Sequence, residues 1–309
     1  MGRALTKLAV SGALIWLVLR TQDLDGVVHR MLTVNGGAVV LSILSIPLIS
    51  ILAALRWSVI LATMGQRVGI RVTYPQGMIG LFFNQCLPFS MGDVARMWFA
   101  YRAGLSARIA VNSVLLDRLV GALALLLMVT FTFPHFFALS PSPAAKLGTA
   151  LVLAAGYLGI VLLAVLDRFL GRFADSRVGS TLVQLAVDLR RLFSLRREAA
   201  QTILCGIIVQ FASAVMVYVL ARGLDLPVNP ADCLFVVPIA NLIQTLPISI
   251  GGWGVREGVF VAAFGMVGLA APSALALSAL FGLVSALGSL PGGIFWLLQK
   301  RAREKVSAA

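Results

Sequence analysis

Two charged residues stand where charge is least expected. Asp117 and Arg118 lie side by side about eight residues into an apolar run that opens at Ile109. As a helix, that run would carry them roughly 12 Å deep at about 1.5 Å per residue. A charge at that depth in a membrane costs a few kcal/mol and faces a bundle interior or a wet cavity. Neighbouring helical residues point in different directions, so each needs its own partner. Arg96, Arg256 and Glu257 are the candidates. Two roles fit the pair: a buried structural salt bridge, or the wall of a polar path for a charged substrate. A titrating carboxylate at Asp93, Asp117 or Glu257 would serve proton coupling, although nothing in the sequence demands it.

A second pattern occurs twice. Gln85–Cys86–Leu87–Pro88–Phe89–Ser90–Met91–Gly92 matches Gln244–Thr245–Leu246–Pro247–Ile248–Ser249–Ile250–Gly251 at five of eight positions, from Gln85 to Gln244 an offset of 159, and an arginine follows each, Arg96 and Arg256. Proline removes a backbone donor and turns the preceding residue away from helix. Hydrocarbon cannot satisfy the freed peptide groups, so such a break must sit inside protein or beside water. Gln85, Ser90, Gln244 and Ser249 would supply side-chain partners. Helices are expected to restart near Asp93 and Trp253, with Arg96 and Arg256 in their first turns. Free N–H groups, the helix dipole and a full positive charge together suit an anionic phosphate. Asp93 and Arg96 are also spaced to pair with each other, and Asp93 to cap its own helix.

Positioning these residues takes helices that cross a bilayer. The 309-residue chain is 60% hydrophobic and 12% charged, with mean hydropathy +0.97; soluble domains are about 45–50% apolar and about 25% charged. Only an all-α polytopic membrane protein fits. Six runs read as spans: Ala4–Leu19, Gly36–Met64, Ile109–Phe133, Leu147–Leu166, Thr202–Ala221 and Ser273–Gln299. The first is short, lets Lys7 snorkel, and lacks a small-residue cleavage site, so it reads as a retained anchor. Gly77–Pro88 and Cys233–Pro247 are shorter still and read as two re-entrant helical hairpins.

Of the 25 Lys and Arg residues, nineteen fall in one set of loops, Arg56, Arg67 and Arg71 counted among them, and five in the other. Positive loops stay inside, which puts both termini in the cytoplasm. The net charge of +13 is then mostly topology, and nucleic acid is not an expected partner. In the cytoplasmic loop 167–200, Leu182, Leu185, Ala186, Leu189, Leu192 and Phe193 share one face of an amphipathic helix. Arg190, Arg191, Arg196 and Arg197 would either meet anionic headgroups or simply hold the loop inside. Cys86, Cys205 and Cys233 read as small hydrophobes in apolar runs. His29 and His135 sit alone in outside loops, so no metal or cofactor is expected. Gly251–Gly252–Trp253–Gly254 lacks the strand and the Lys-Ser/Thr of a phosphate loop.

A further match aligns Leu116, Leu119, Val120, Ala122 and Leu123 with Leu280, Leu283, Val284, Ala286 and Leu287, an offset of 164. Two matches in the same order imply an internal duplication, 1–145 and 146–309. Each half holds two spans, a hairpin and a third span. Three spans separate the motifs, and an odd number inverts the second copy. Inverted-topology repeats are a transporter signature, with the site between the halves.

Asn84–Gln85…Pro88…Gly92–Asp93…Arg96, then Asp117–Arg118…Gly121, then Gly251–Gly252–Trp253–Gly254–Val255–Arg256–Glu257–Gly258 make the chain resemble the lysylphosphatidylglycerol synthase transmembrane-region family, the flippase-like membrane half of the bacterial multiple peptide resistance factor, which also occurs as stand-alone proteins. The family often shows Gly-Gly-Asp where this chain has Met91–Gly92–Asp93. The resemblance implies lipid translocation in a prokaryotic cytoplasmic membrane, with Asp93, Arg96, Asp117, Arg118, Arg256 and Glu257 lining a cavity between the halves. The expected function is a flippase for an anionic, phosphate-bearing lipid, not an enzyme. An intramembrane lipid-linked transferase and an accessory subunit of an envelope-lipid assembly are the alternatives. Expected partners are anionic lipids, with a second copy of the chain or envelope-lipid biosynthesis proteins as further candidates.

Overall fold

The structure, a computed structural model, describes residues 29–87, 91–139, 142–169, 177–244 and 254–307. After a helical turn at 29–32 come α1 (Gly36–Thr63), α2 (Ile70–Cys86), α3 (Met91–Arg102), α4 (Ala107–Leu139), α5 (Pro143–Phe169), α6 (Arg177–Ser194), α7 (Arg196–Gly223), α8 (Pro230–Gln244), α9 (Val255–Met266) and α10 (Ala271–Ser307). Five of them, α1, α4, α5, α7 and α10, are long and apolar enough to cross a membrane. The chain is a multi-pass membrane protein. These five match the expected spans to within a few residues at most ends, and α4 runs on through Pro134 to Leu139. The expected first span, Ala4–Leu19, lies outside the described residues, as do Pro88, Ser90, Pro247 and Ser249.

The order of lengths recurs. Helices of 28, 17, 12 and 33 residues (α1–α4) are followed later by helices of 28, 15, 12 and 37 (α7–α10). Gly36 to Arg196 and Ile70 to Pro230 are each 160 residues apart; Met91 to Val255 and Ala107 to Ala271 are each 164. Helix stops recur at the same spacing. Gly65 and Asp225 both have positive φ, 82° and 53°, as do Gly104 and Gly268, 99° and 85°. Each stop returns an N–H to a carbonyl five residues back, Gln66 to Leu61 and Leu226 to Ala221 at 2.9 Å, Leu105 to Ala100 at 3.3 Å and Leu269 to Phe264 at 3.0 Å. This is the left-handed termination that favours glycine, and at Asp225 a short polar side chain tolerates it.

Packing recurs as well, and it crosses between the sets. The long helices α1 and α7 lie against each other. Short α2 packs on α10, and its counterpart α8 packs on α4. α1 touches α10, and α7 touches α4. Exchanging the two sets leaves this pattern unchanged, as in a two-fold interface where the same surfaces meet reciprocally. At the α2–α10 crossing, a Cβ on Gly292 would lie 2.0 Å from the Met78 carbonyl oxygen, so the backbones approach closely. The core between α4, α7, α8, α9 and α10 includes Phe136 stacked on Phe235 at 4.3 Å. α5 packs on α4 and α6 and turns Leu147, Leu151, Leu158 and Leu162 outward, as a lipid-facing span does.

The helix expected in the loop 167–200 forms as α6, but its apolar face does not lie on lipid. Leu185, Leu189 and Leu192 are buried against Ile60, Leu116 and Val120 of α1 and α4, and Ala186 is buried beside them in sequence. The same face buries Asp188, which accepts from Asn112 Nδ2 at 3.3 Å and Gln184 Nε2 at 3.1 Å. Protein supplies donors that acyl chains lack. Arg190 turns back to Asp167 at 2.5 and 2.8 Å, while Arg191, Arg196 and Arg197 stay exposed. His135 is not alone in a loop either: it sits within α4, 3.3 Å from Asp232 in the first turn of α8.

Candidate functional site

Three helices bring five charged residues together. α1 carries Arg56, α3 carries Asp93 and Arg96, and α4 carries Asp117 and Arg118. Asp117 is the hub: its Oδ1 accepts from Arg56 Nε at 2.7 Å and its Oδ2 from Arg96 Nη2 at 2.9 Å. Arg118 points the other way and reaches Asp93 Oδ2 at 2.7 Å. Each member of the adjacent pair therefore has its own partner, as helix geometry requires. The partners are Arg56 and Arg96 for Asp117 and Asp93 for Arg118; neither Arg256 nor Glu257 is among them.

Arg56 was missed as a site residue. It counts among the loop cations on sequence, yet it lies inside α1 and is only 8% exposed. Its position seven residues before the end of a 28-residue apolar helix was the available signal. Space for its guanidinium comes from glycine. A Cβ on Gly121 of α4 would sit 3.5 Å from Arg56 Nη1, and one on Gly206 of α7 would sit 3.4 Å away. Arg96 likewise crosses Gly80, whose Cβ would meet its side chain at 2.6 Å, and stands 4.4 Å from the Trp57 ring centroid. α3 is fixed to α2 by the Gly92 N–H, which donates to Asn84 Oδ1 at 3.0 Å.

Three guanidiniums face two carboxylates, an excess of one positive charge. Arg118 is the accessible member, its side chain 45% exposed against 12% for Arg96 and 4% for Asp117. Two bonding positions remain open: Asp93 Oδ1 and Arg96 Nε are shielded from solvent and have no hydrogen-bond partner among the described residues. The Asp93–Arg96 contact, expected as an i,i+3 pair, is long at 3.8 Å. Arg96 is the sixth residue of α3, beyond its first turn, because the helix starts at Met91 rather than Asp93.

Arg256 and Glu257 form a separate group. They are the second and third residues of α9 and pair with each other, Arg256 Nη2 donating to Glu257 Oε1 at 2.6 Å. Glu257 Oε2 accepts the Gly254 N–H at 2.5 Å, and Arg256 Nε donates to Ser278 Oγ at 3.2 Å. Adjacent residues can meet here because both side chains lean back past the helix start. Gln85 is half-buried near the end of α2, and Gln244 Nε2 donates to the Ala240 carbonyl of its own helix at 3.2 Å. Neither joins the charged groups in a hydrogen bond among the described residues.

The helix registers correct one equivalence. The short motif pairs Arg96 with Arg256, but the 164-residue spacing of α3 and α9 places Arg96 with Phe260 and Asp93 with Glu257. The same spacing places Asp117 with Phe281, and the 160-residue spacing of α1 and α7 places Arg56 with Met216. Where the first set holds the Arg96–Asp117 ion pair, the second holds Phe260 stacked on Phe281, centroids 6.0 Å apart and planes at 16°. One set of helices is charged at positions where the other is apolar, and only the acid at the start of the short helix is common to both.

Beyond the geometry, the family model for the lysylphosphatidylglycerol synthase TM region matches residues 4–292. No curated protein matches the chain.

Proposed function

The chain belongs to the lysylphosphatidylglycerol synthase transmembrane-region family, and from that premise we propose that it moves an anionic, phosphate-bearing lipid between the leaflets of a prokaryotic cytoplasmic membrane. The observation that carries the proposal is the five-residue cluster with one excess positive charge and an exposed Arg118. Buried ion pairs are poor stabilisers, because desolvating the charges offsets most of their attraction. The apolar set Met216, Phe260 and Phe281 fills the corresponding positions elsewhere in the same chain. A charged set inside apolar helices therefore points to use rather than to packing.

In this proposal the two sets of helices are inverted-topology repeats, with both termini in the cytoplasm and α2–α3 and α8–α9 as re-entrant hairpins. The recurring lengths, the recurring stops and the reciprocal packing support it. A phosphate headgroup would take the exposed Arg118 as its first donor, and the shielded Arg96 Nε and Asp93 Oδ1 would join, as donor and acceptor, only when the helices around them part. The tails would remain in the bilayer while the hairpins alternate. Lipid-linked transfer fits less well: catalysis needs a carboxylate free to take a proton, whereas Asp117 is clamped by two arginines and Glu257 is held by Arg256 and Gly254, which leaves only Asp93 with an open oxygen, its other one paired with Arg118.

The test is reconstitution of the purified chain into liposomes carrying a headgroup-labelled phosphatidylglycerol, with loss of outer-leaflet label as the readout. The wild type should equilibrate label between leaflets, and Arg118→Gln should slow this by at least about tenfold. Equal rates for wild type, Arg118→Gln and protein-free vesicles would end the proposal and leave an accessory role as the better reading.

A further inference from the structure

We propose that Gly282 is a receptor for a guanidinium, and that each set of helices closes the same acid–arginine latch at the start of its short second helix, with the arginine supplied from opposite sides of the seam. The inference rests on the repeat reading above. In the first set, the acid Asp93 is the third residue of α3, and its arginine, Arg118, comes from the long helix α4. In the second, the acid Glu257 is the third residue of α9, and its arginine, Arg256, comes from α9 itself.

The registers make this an exchange. Position 92, glycine, corresponds to 256, arginine; position 118, arginine, corresponds to 282, glycine. The space left by the missing side chain at 282 is filled by the other arginine. A Cβ on Gly282 would lie 2.2 Å from Arg256 Nη2 and 2.7 Å from its Cζ. Both arrangements thus bring a guanidinium to the acid of the short helix. The exchange cannot run the other way, because a Cβ on Gly92 would meet the Gly80 carbonyl oxygen at 1.8 Å. Exposure separates the two: the Arg118 side chain is 45% exposed and the Arg256 side chain 3%. The first latch is open to a headgroup, whereas the second is sealed. Arg256 therefore acts as a positioning residue, holding Glu257 and α9 against α10 rather than touching lipid.

The test compares Arg256→Gly, Gly282→Ala and the double variant Arg256→Gly/Gly282→Arg, each read by thermal melting in detergent and by lipid movement in liposomes. Arg256→Gly strands the buried Glu257 carboxylate, so it should melt earlier and lose at least about tenfold in transport. The double variant rebuilds the latch in the form of the first set. It should recover the melting temperature and come within about threefold of wild-type transport. A folded double variant no better than Arg256→Gly in either reading overturns the proposal. Gly282→Ala decides the matter if the double variant does not fold. Its methyl displaces a flexible guanidinium, while alanine suits a helix interior, so the protein should stay folded and lose about tenfold in transport. Wild-type transport by Gly282→Ala also overturns the proposal. If the wild type itself moves no lipid, the transport reading fails, and recovery of melting by the double variant still judges the latch.

Discussion

Replacing Asp117 with asparagine removes one charge and leaves its shape. In the native cluster the carboxylate accepts from Arg56 at 2.7 Å and Arg96 at 2.9 Å, and its side chain is 4% exposed. The amide of Asp117→Asn cannot neutralise two guanidiniums, so the excess of one positive charge becomes two. Breaking a buried pair by removing one partner costs about 3–5 kcal/mol. At about 2–4 °C per kcal/mol for chains of some 200 residues, apparent melting should fall by roughly 6–20 °C. Removing the charge altogether should reverse most of that. The triple variant Arg56→Met/Arg96→Phe/Asp117→Phe installs the residues found at the corresponding positions 216, 260 and 281, and leaves Asp93 paired with Arg118. Hydrophobic replacement of a buried ion cluster is often neutral or stabilising, although two added rings can overpack by about 1–3 kcal/mol. The triple variant should therefore melt above Asp117→Asn and yet move no lipid. Differential scanning fluorimetry in detergent, alongside liposome assays, reads both quantities. If Asp117→Asn melts like wild type, the cluster is not the buried, mutually dependent unit described here. Transport by the triple variant would show that the charges are packing after all.

Arg118→Gln should cost less melting than Asp117→Asn, because the Arg118 side chain is 45% exposed and glutamine can still donate to the buried Asp93 carboxylate, while transport falls; a melting loss as large as that of Asp117→Asn would place Arg118 in the core. Gly92→Ala and Gly292→Ala should both yield misassembled protein, visible as loss of the monodisperse peak in size exclusion, since a Cβ would sit 1.8 Å and 2.0 Å from the Gly80 and Met78 carbonyl oxygens. Gly148→Ala in α5, where nothing lies within 4 Å, should pass the same measurement unchanged. Arg190→Ala should shift melting by less than about 1 kcal/mol equivalent, because α6 is held by the buried Leu185, Leu189 and Leu192 rather than by the partly exposed Asp167 pair.

Five of the expected spans were legible because hydropathy over some 20 residues is a coarse, one-dimensional signal. Two short matches suggest a duplication, and the helix registers shift the equivalence they imply. From the start of α8 to the start of α9 the second set runs four residues longer than the first does from α2 to α3, so a motif aligned at one end assigns Arg96 to Arg256 at the other. Arg56 was hidden by a simple confusion: near a helix end, an arginine that snorkels and one that turns inward share the same sequence context. Its partner is 61 positions away, and only packing shows which occurs. The glycines at 80, 121, 206 and 282 were equally silent, since a glycine inside a membrane helix reads the same whether it faces lipid, a backbone or a guanidinium. α6 was recognised as amphipathic, but periodicity gives the existence of an apolar face and not the surface that covers it.

The crossed seating of α2 on α10 sets a schedule for biosynthesis. Cys86 leaves the ribosome about 200 residues before Gly292, which at about 5–20 residues per second is roughly 10–40 s. For that interval the first short helix lacks the surface of α10 on which it packs in the finished fold. Native closure is thus a late event, and a chain interrupted before α10 leaves α2 without its largest packing partner however well its earlier helices have formed.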